Sequence, residues 1–222
     1  ELFTPVRALD NYHKVVVVGD IQGMGGELEK LIDTLSPETG LSDENICWIF
    51  AGDLFDRGQN PEKVFDILEP ALGTLPNVHL VMGNHERSIM HTIRGVRRYR
   101  DARDTLDALA AHGVYNSRAI AMLNTAVNMM PFTLGKERYF VTHAGVAPQL
   151  FADSHRTLEG VGEGYLTGLY ADETFYLGSN PYPQARAGKT QYAGYEDTLN
   201  NLSRAAGITQ IYGHRPAALG SE

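Results

Sequence analysis

Five short polar clusters carry nearly all the residues of this chain that can do chemistry. In order they are Gly19-Asp20-Ile21-Gln22-Gly23, Gly52-Asp53-Leu54-Phe55-Asp56-Arg57-Gly58, Gly83-Asn84-His85-Glu86, His143 and His214. Together they offer carboxylate, amide and imidazole donors and no thiolate. Such ligation suits Mn, Fe, Zn or Mg, and two ions sharing a carboxylate would lie roughly 4 Å apart. Glycines flank the clusters because sharp turns after strands need unusual backbone angles and close approach to a ligand.

The elements that must position these clusters follow from where the apolar runs fall. Val15 to Val18 reads as a fully buried strand, and Gly19-Asp20 ends it. Leu28, Leu31, Ile32 and Leu35 then recur at helical spacing. Ile46 to Phe50 is a second strand ending in Gly52-Asp53, and Pro61 opens a helix carrying Val64, Phe65, Leu68 and Leu72. Val78 to Met82 is a third strand, leading into Gly83-Asn84-His85-Glu86. Strand, polar loop and helix recur three times, the signature of an α/β fold with crossover helices.

The middle of the chain differs. Asp101 to His112 and Ser117 to Met130 read as two helices, the second carrying Ile120, Leu123, Val127 and Met130 on one side and stopped by Pro131. They form a small helical insertion. Tyr139 to Thr142 is a fourth strand before His143, and 161–194, rich in Gly, Tyr and Pro, reads as irregular. A helix over Tyr195 to Ala206 leads to a strand at Ile208 to Tyr212, before Gly213-His214. Ligands of open α/β sheets bind beyond the carboxyl ends of strands, so five loops are expected to converge on one place.

Composition bounds the reading. The chain has 222 residues, 43% hydrophobic and 21% charged, and no stretch of roughly 20 apolar residues that would span a bilayer. One domain, 1–222, is expected, with no membrane. A formal charge of −8 argues against a partner held by non-specific attraction to a nucleic-acid backbone. The single cysteine, Cys47, sits in an apolar run, forms no intrachain disulfide and reads as a buried small hydrophobe. A cytoplasmic location fits that usage. Glu1 in place of Met suggests a processed or excised chain.

In this order the five clusters resemble the calcineurin-type metallophosphoesterases, and within them the serine/threonine phosphoprotein phosphatase branch. GDLFDRG at 52–58 and GNHE at 83–86 match that branch, and the resemblance spans Asp20 to His214. Singly, Asp20 could cap a helix and Asp53 and Asp56 could be turn residues, but five unrelated turns would then have had to choose ligand-competent residues in the family's order. The resemblance implies a β-sandwich flanked by helices, amending one sheet to two. It implies hydrolysis of phosphate monoesters, phosphoserine and phosphothreonine above all, by water activated between two divalent ions, with a phosphorylated protein or small phosphoester as partner. Asp20 and Gln22 would hold the first metal, Asp53 would bridge, and Asn84, His143 and His214 would complete the second site. His85 would protonate the leaving alkoxide, Asp56 would orient it, and Arg57 would bind phosphate. A second phosphate-binding arginine is expected at Arg186, with Arg156, Arg87 and Arg215 behind it.

Two departures refine this. Gln22 stands where the family normally has histidine, and its harder carbonyl donor favours Mn, with Mg, Fe, Zn or Ni as alternatives. The same substitution occurs in symmetrical diadenosine tetraphosphatases, so hydrolysis of a dinucleoside polyphosphate, or of a nucleic-acid terminal phosphate, is the alternative enzyme. Their second cluster typically lacks an aspartate equivalent to Asp56. A phosphate-binding module without catalysis is the non-enzyme alternative. The chain also ends eight residues after His214, short of the family's last strands, so a C-terminally truncated piece is expected. Of the remaining histidines, His13, His79, His91, His112 and His155 follow no strand-end motif and read as surface or structural. Glu86, just inside a helix start, reads as serving backbone amides. Tyr170, Tyr176, Tyr182 and Tyr192 could hold a base, but packing is the plainer role.

Overall fold

The computed structural model describes residues 6–145, Arg204 and 207–213. Its strands are β1 (Arg7–Ala8), β2 (Lys14–Val18), β3 (Ile46–Phe50), β4 (Val78–Leu80), β5 (Met130–Leu134), β6 (Glu137–Val141) and β7 (Thr209–Ile211). Its α-helices are α1 (Gly25–Leu35), α2 (Pro61–Leu68), α3 (Asn84–Ile93), α4 (Arg100–Ala111) and α5 (Asn116–Leu123). None of the described helices is long and apolar enough to cross a membrane.

The strands form two sheets. One is wholly parallel, ordered β2-β3-β4; the other is mixed, ordered β1-β5-β6-β7, with β5 and β6 antiparallel and the remaining pairs parallel. Side chains on a strand alternate between faces, and β3 shows how that builds two cores. Ile46, Trp48 and Phe50 pack with the helices, while Cys47, Ile49 and Ala51 pack with Met130, Phe132 and Val141 of the second sheet. All five residues of β3 are buried, each large apolar one contributing about 1.5–3 kcal/mol. The architecture is α/β, two facing sheets with helices over the parallel one.

Cys47 lies in the layer between the sheets, and burial pushes its thiol up to about 11, as suits an inert core residue. The valine run of β2, expected to be fully buried, is half-buried, because β2 is the edge of its sheet. The helix expected over Ser117 to Met130 ends at Leu123, and here the sequence reading is corrected. Val127 instead bridges Val81 at the end of β4, and Met130 begins a strand that contains Pro131. Ile120 and Leu123 belong to α5, Val127 to an isolated bridge outside the strands and Met130 to β5, although their spacing is helical throughout. Pro131 is tolerated because β1 registers with Phe132 and Thr133 only, which leaves β5 one neighbour at the proline.

The helical pair α4–α5 is not a separate lobe. Ala102, Leu109, Ala119, Met122 and Leu123 join Phe65, Leu68 and Ile89 in the core that covers the parallel sheet. The helix expected over Tyr195 to Ala206 and the irregular stretch 161–194 lie outside the described residues.

Candidate functional site

The turns after β2, β3, β4, β6 and β7 end on one side of the two sheets, and hydrogen bonds tie them to one another. Ile21 and Gln22 donate their backbone N–H groups to the Asp53 carbonyl at 3.0 and 2.8 Å, and Gly23 donates to the Leu54 carbonyl at 2.8 Å. Gly213, at the end of β7, donates to the His143 carbonyl at 3.0 Å, and a Cβ there would collide with Asp20 Oδ1. Gln22, Asp53, Asp56 and Arg57 have φ of 47°, 53°, 70° and 60°, and among the described residues no other non-glycine has positive φ. Such conformations cost of order 1–3 kcal/mol each and persist where surrounding contacts impose them.

Glu86 supplies much of that imposition. It is wholly buried in the first turn of α3, and its carboxylate accepts from the N–H groups of Asp53 at 2.7 Å, Leu54 at 2.8 Å and Gly83 at 3.0 Å. One glutamate thus caps α3 and pins the loop after β3. Burial, then the Asp53 charge, push its carboxyl up to about 7 against the pull of His143 and these amides. The reading of Glu86 as a server of backbone amides matches these contacts.

Around Asp53 the acceptor atoms crowd together. Its Oδ1 accepts from the His85 N–H at 3.1 Å and lies 3.3 Å from His143 Nε2, which is 3.0 Å from Asn84 Oδ1. His143 Nδ1 sits 2.8 Å from the Ala51 carbonyl, which can only accept, so Nδ1 carries a proton there. A neutral His143 ring then points a lone pair at two oxygens. A proton or a cation between these atoms makes the arrangement favourable, and a ring fixed through its far nitrogen to a backbone carbonyl is how metal-binding imidazoles are commonly oriented. Asp20, Asp53 and His143 each present a ligand atom, all within 4.8 Å of one another, so one ion can reach all three.

The same crowding sets the charges. Burial opposes ionisation of Asp53, but the His143 and His85 rings outweigh it and hold the carboxyl below its ordinary range. Burial likewise works against protonating His143 and His85. For His143 the Asp53 carboxylate outweighs it, and for His85 the Asp56 hydrogen bond and the Asp53 charge do, so both imidazoles are raised.

Beside this cluster is a second group. His85 Nδ1 donates to Asp56 Oδ2 at 2.6 Å, and His85 Nε2 faces Asp53 Oδ2 at 3.6 Å. Thr105 of α4 donates its hydroxyl to the other Asp56 oxygen. Sequence reasoning did not single out Thr105, for a buried threonine on an amphipathic helix looks like any other core position. Arg57 is exposed and donates to Gln22 Oε1 at 3.1 Å, while Gln22 Nε2 lies 3.4 Å from Asp20 Oδ2.

Of the residues expected at the site, Asp20, Gln22, Asp53, Asp56, Arg57, Asn84, His85 and His143 are thus brought together. His214 lies outside the described residues, as do Arg156, Arg186, Arg215, His155 and the four loop tyrosines. Arg87 is turned to Asn128 Oδ1 at 3.1 Å. His79 faces Arg7 at 3.4 Å, His112 pairs with Asp66 at 2.9 Å, His91 stacks on Tyr99, and His13 is exposed, all away from the cluster.

The chain is similar to known proteins over different spans. Serine/threonine-protein phosphatase BSL2 of Arabidopsis thaliana is 35% identical over 85 residues, 37% of this chain and 8% of that protein. A symmetrical bis(5'-nucleosyl)-tetraphosphatase of Dechloromonas aromatica (strain RCB) is 28% identical over 190 residues, 84% of this chain and 60% of that protein. The chain therefore spans less than two thirds of the length of either relative. The solved cold-active protein-tyrosine phosphatase of a psychrophilic Shewanella superposes with a TM-score of 0.48 at 17% identity, over 94% of this chain and 69% of that one. The family model described as calcineurin-like phosphoesterase matches residues 13–218, nearly the whole sequence and all five strand-end clusters, and the chain belongs to that family.

Proposed function

We propose that the protein is a metal-dependent phosphomonoesterase acting on phosphoserine and phosphothreonine, and that residues 1–222 form one domain around this site. Asp20 and Gln22 would hold one divalent ion, Asp53 would be shared, and Asn84, His143 and His214 would complete the second site. The converging lone pairs of Asp53, Asn84 and His143 fit a cation, and the oxygen-rich donor set, with Gln22 in place of a nitrogen ligand, favours Mn. When bound, such a pair of ions supplies a water of lowered pKa as nucleophile and offsets the charge of the phosphoryl group.

The chain's own side chains do the rest. Arg57, exposed beside Gln22 and Asp20, offers a planar fork to two phosphate oxygens. With Nδ1–H held by Asp56, the proton that His85 can deliver sits on Nε2, which faces the Asp53 cluster. The observation that carries the monoester reading is this buried His85–Asp56 pair. A serine or threonine alkoxide is a poor leaving group and needs a proton as it departs, whereas a polyphosphate leaves as an already stabilised oxyanion.

Gln22 and the long match to a symmetrical bis(5'-nucleosyl)-tetraphosphatase support a second reading, cleavage of a dinucleoside polyphosphate. The two separate in one experiment with Mn-loaded protein, a phosphoserine peptide and diadenosine tetraphosphate. The peptide is expected to be the better substrate, and His85→Asn is expected to slow its hydrolysis on the order of a hundredfold or more. Turnover of the dinucleotide alone would favour the second reading. Phosphate binding without turnover of either would leave a binding module.

A further inference from the structure

Thr105 is where the helical pair reaches the site. Three other helical hydroxyls, of Thr34, Ser88 and Thr92, turn back onto the carbonyl four residues earlier in their own helices, at 2.7 to 2.8 Å. Thr105 does not. Its side chain is buried and points out of α4 to Asp56 Oδ1, while Asp56 Oδ2 accepts from His85 Nδ1 at 2.6 Å. Both carboxylate oxygens of Asp56 are therefore engaged, one by the imidazole and one by a hydroxyl from an element more than 40 residues away in sequence.

That contact matters because Asp56 stands on an unusual backbone. Its φ is 70° and that of Arg57 is 60°, a left-handed backbone that non-glycine residues uncommonly adopt. Asp56 is buried with only small freedom to relax, and a carboxylate with one free oxygen could rotate about its terminal bond. A donor on Oδ1 removes that freedom and leaves Oδ2 aimed at Nδ1. Ala102 and Leu109, buried on either side of Thr105 along α4, anchor the donor in the core that covers the parallel sheet.

We infer that Thr105 is a positioning residue for acid catalysis, a third member of a His85–Asp56–Thr105 chain through which helix α4 fixes the imidazole that protonates the leaving group. The inference rests on the proposed role of His85. It assigns α4 a part in the chemistry as well as in packing, since the hydroxyl orients Asp56, Asp56 orients His85, and His85 meets the departing oxygen.

Leaving groups test it. The full chain loaded with Mn is assayed on a phosphoserine peptide, whose alkoxide needs a proton, and on p-nitrophenyl phosphate, whose phenolate scarcely does. Thr105→Val keeps the shape and removes the hydroxyl; Thr105→Ser keeps the hydroxyl. Thr105→Ala provides the same deletion without a branched side chain, should valine not be accommodated. The valine or alanine variant is expected to lower kcat on the peptide roughly tenfold, part of the hundredfold or more carried by the acid, with KM unchanged and p-nitrophenyl phosphate turnover within about twofold of the parent. Serine is expected to restore the peptide rate. Equal losses on both substrates, or none on the peptide, would overturn the inference while His85→Asn still discriminated between them. If His85→Asn slowed both substrates equally, the acid role itself would fall and the inference with it.

Discussion

Asp53 answers to four constraints at once, and they show how little freedom the site allows. Its N–H is held by Glu86, its carbonyl accepts from Ile21 and Gln22, its Oδ1 meets His85 N–H and His143 Nε2, and its φ is 53°. Gln22 is less constrained. Its amide now turns Nε2 to Asp20 and Oε1 to Arg57, and half a turn about the terminal bond exchanges the two nearly isosteric ends. If the oxygen serves a cation, Gln22→His replaces a hard donor with an imidazole, and the rate with Zn is expected to rise relative to Mn. Activity measured with each metal in turn checks this, and an unchanged preference would remove Gln22 from the ligand set. At this scale the sequence was most informative. Asp20, Asp53 and Asn84 each follow a glycine at a strand end and His143 stands at another strand end, and such positions announce themselves, whereas Thr105 acts through Asp56 from mid-helix and carries no local signal.

The elements are held to the site mainly by the first turn of α3. Glu86 takes three backbone N–H groups from two loops, so replacing one carboxylate oxygen by an NH2 group sets donor against donor inside the core. Glu86→Gln is expected to cost about 1–3 kcal/mol, read as a lower urea midpoint with an unchanged slope. A midpoint equal to the parent's would mean that the amides find other partners. Gly83 belongs to the same joint, because a Cβ there would collide with Asp53 Oδ1 and Glu86. Much of this framework was legible. The buried parallel strand β3 reads as a continuous apolar run, and Pro61 marks the start of α2. The second sheet was harder to see. β1 has two residues, and β5 was hidden because Val127 and Met130 continue the helical spacing of α5 by coincidence. The two-residue Gly135-Lys136 turn between β5 and β6, with Gly135 at φ 58°, was the available hairpin signal.

Across the whole molecule, protons and cations compete for one buried cluster. His85 and His143 are raised in the folded protein, so the stability they contribute is fully present below their ordinary value of 6.5 and is lost as pH rises through their folded values. Glu86 acts in the same direction, from its ordinary 4.5 up through about 7. Asp53 is lowered, so its contribution is already complete above its ordinary 3.8 and does not change near neutrality. Protein stripped of metal is therefore expected to melt at a higher Tm near pH 6 than near pH 8. Added Mn opposes this trend, because His143 Nε2 must shed its proton to bind an ion, so the gain in Tm is expected to be larger near pH 8. A gain independent of pH would place the ion elsewhere. The most direct test of the account is turnover of p-nitrophenyl phosphate by metal-stripped protein, with Mn returned, beside the Asp53→Asn variant. The account predicts hydrolysis that depends on Mn and is abolished by that substitution. Hydrolysis that survives metal removal, or an Asp53→Asn variant as active as the parent, would contradict it.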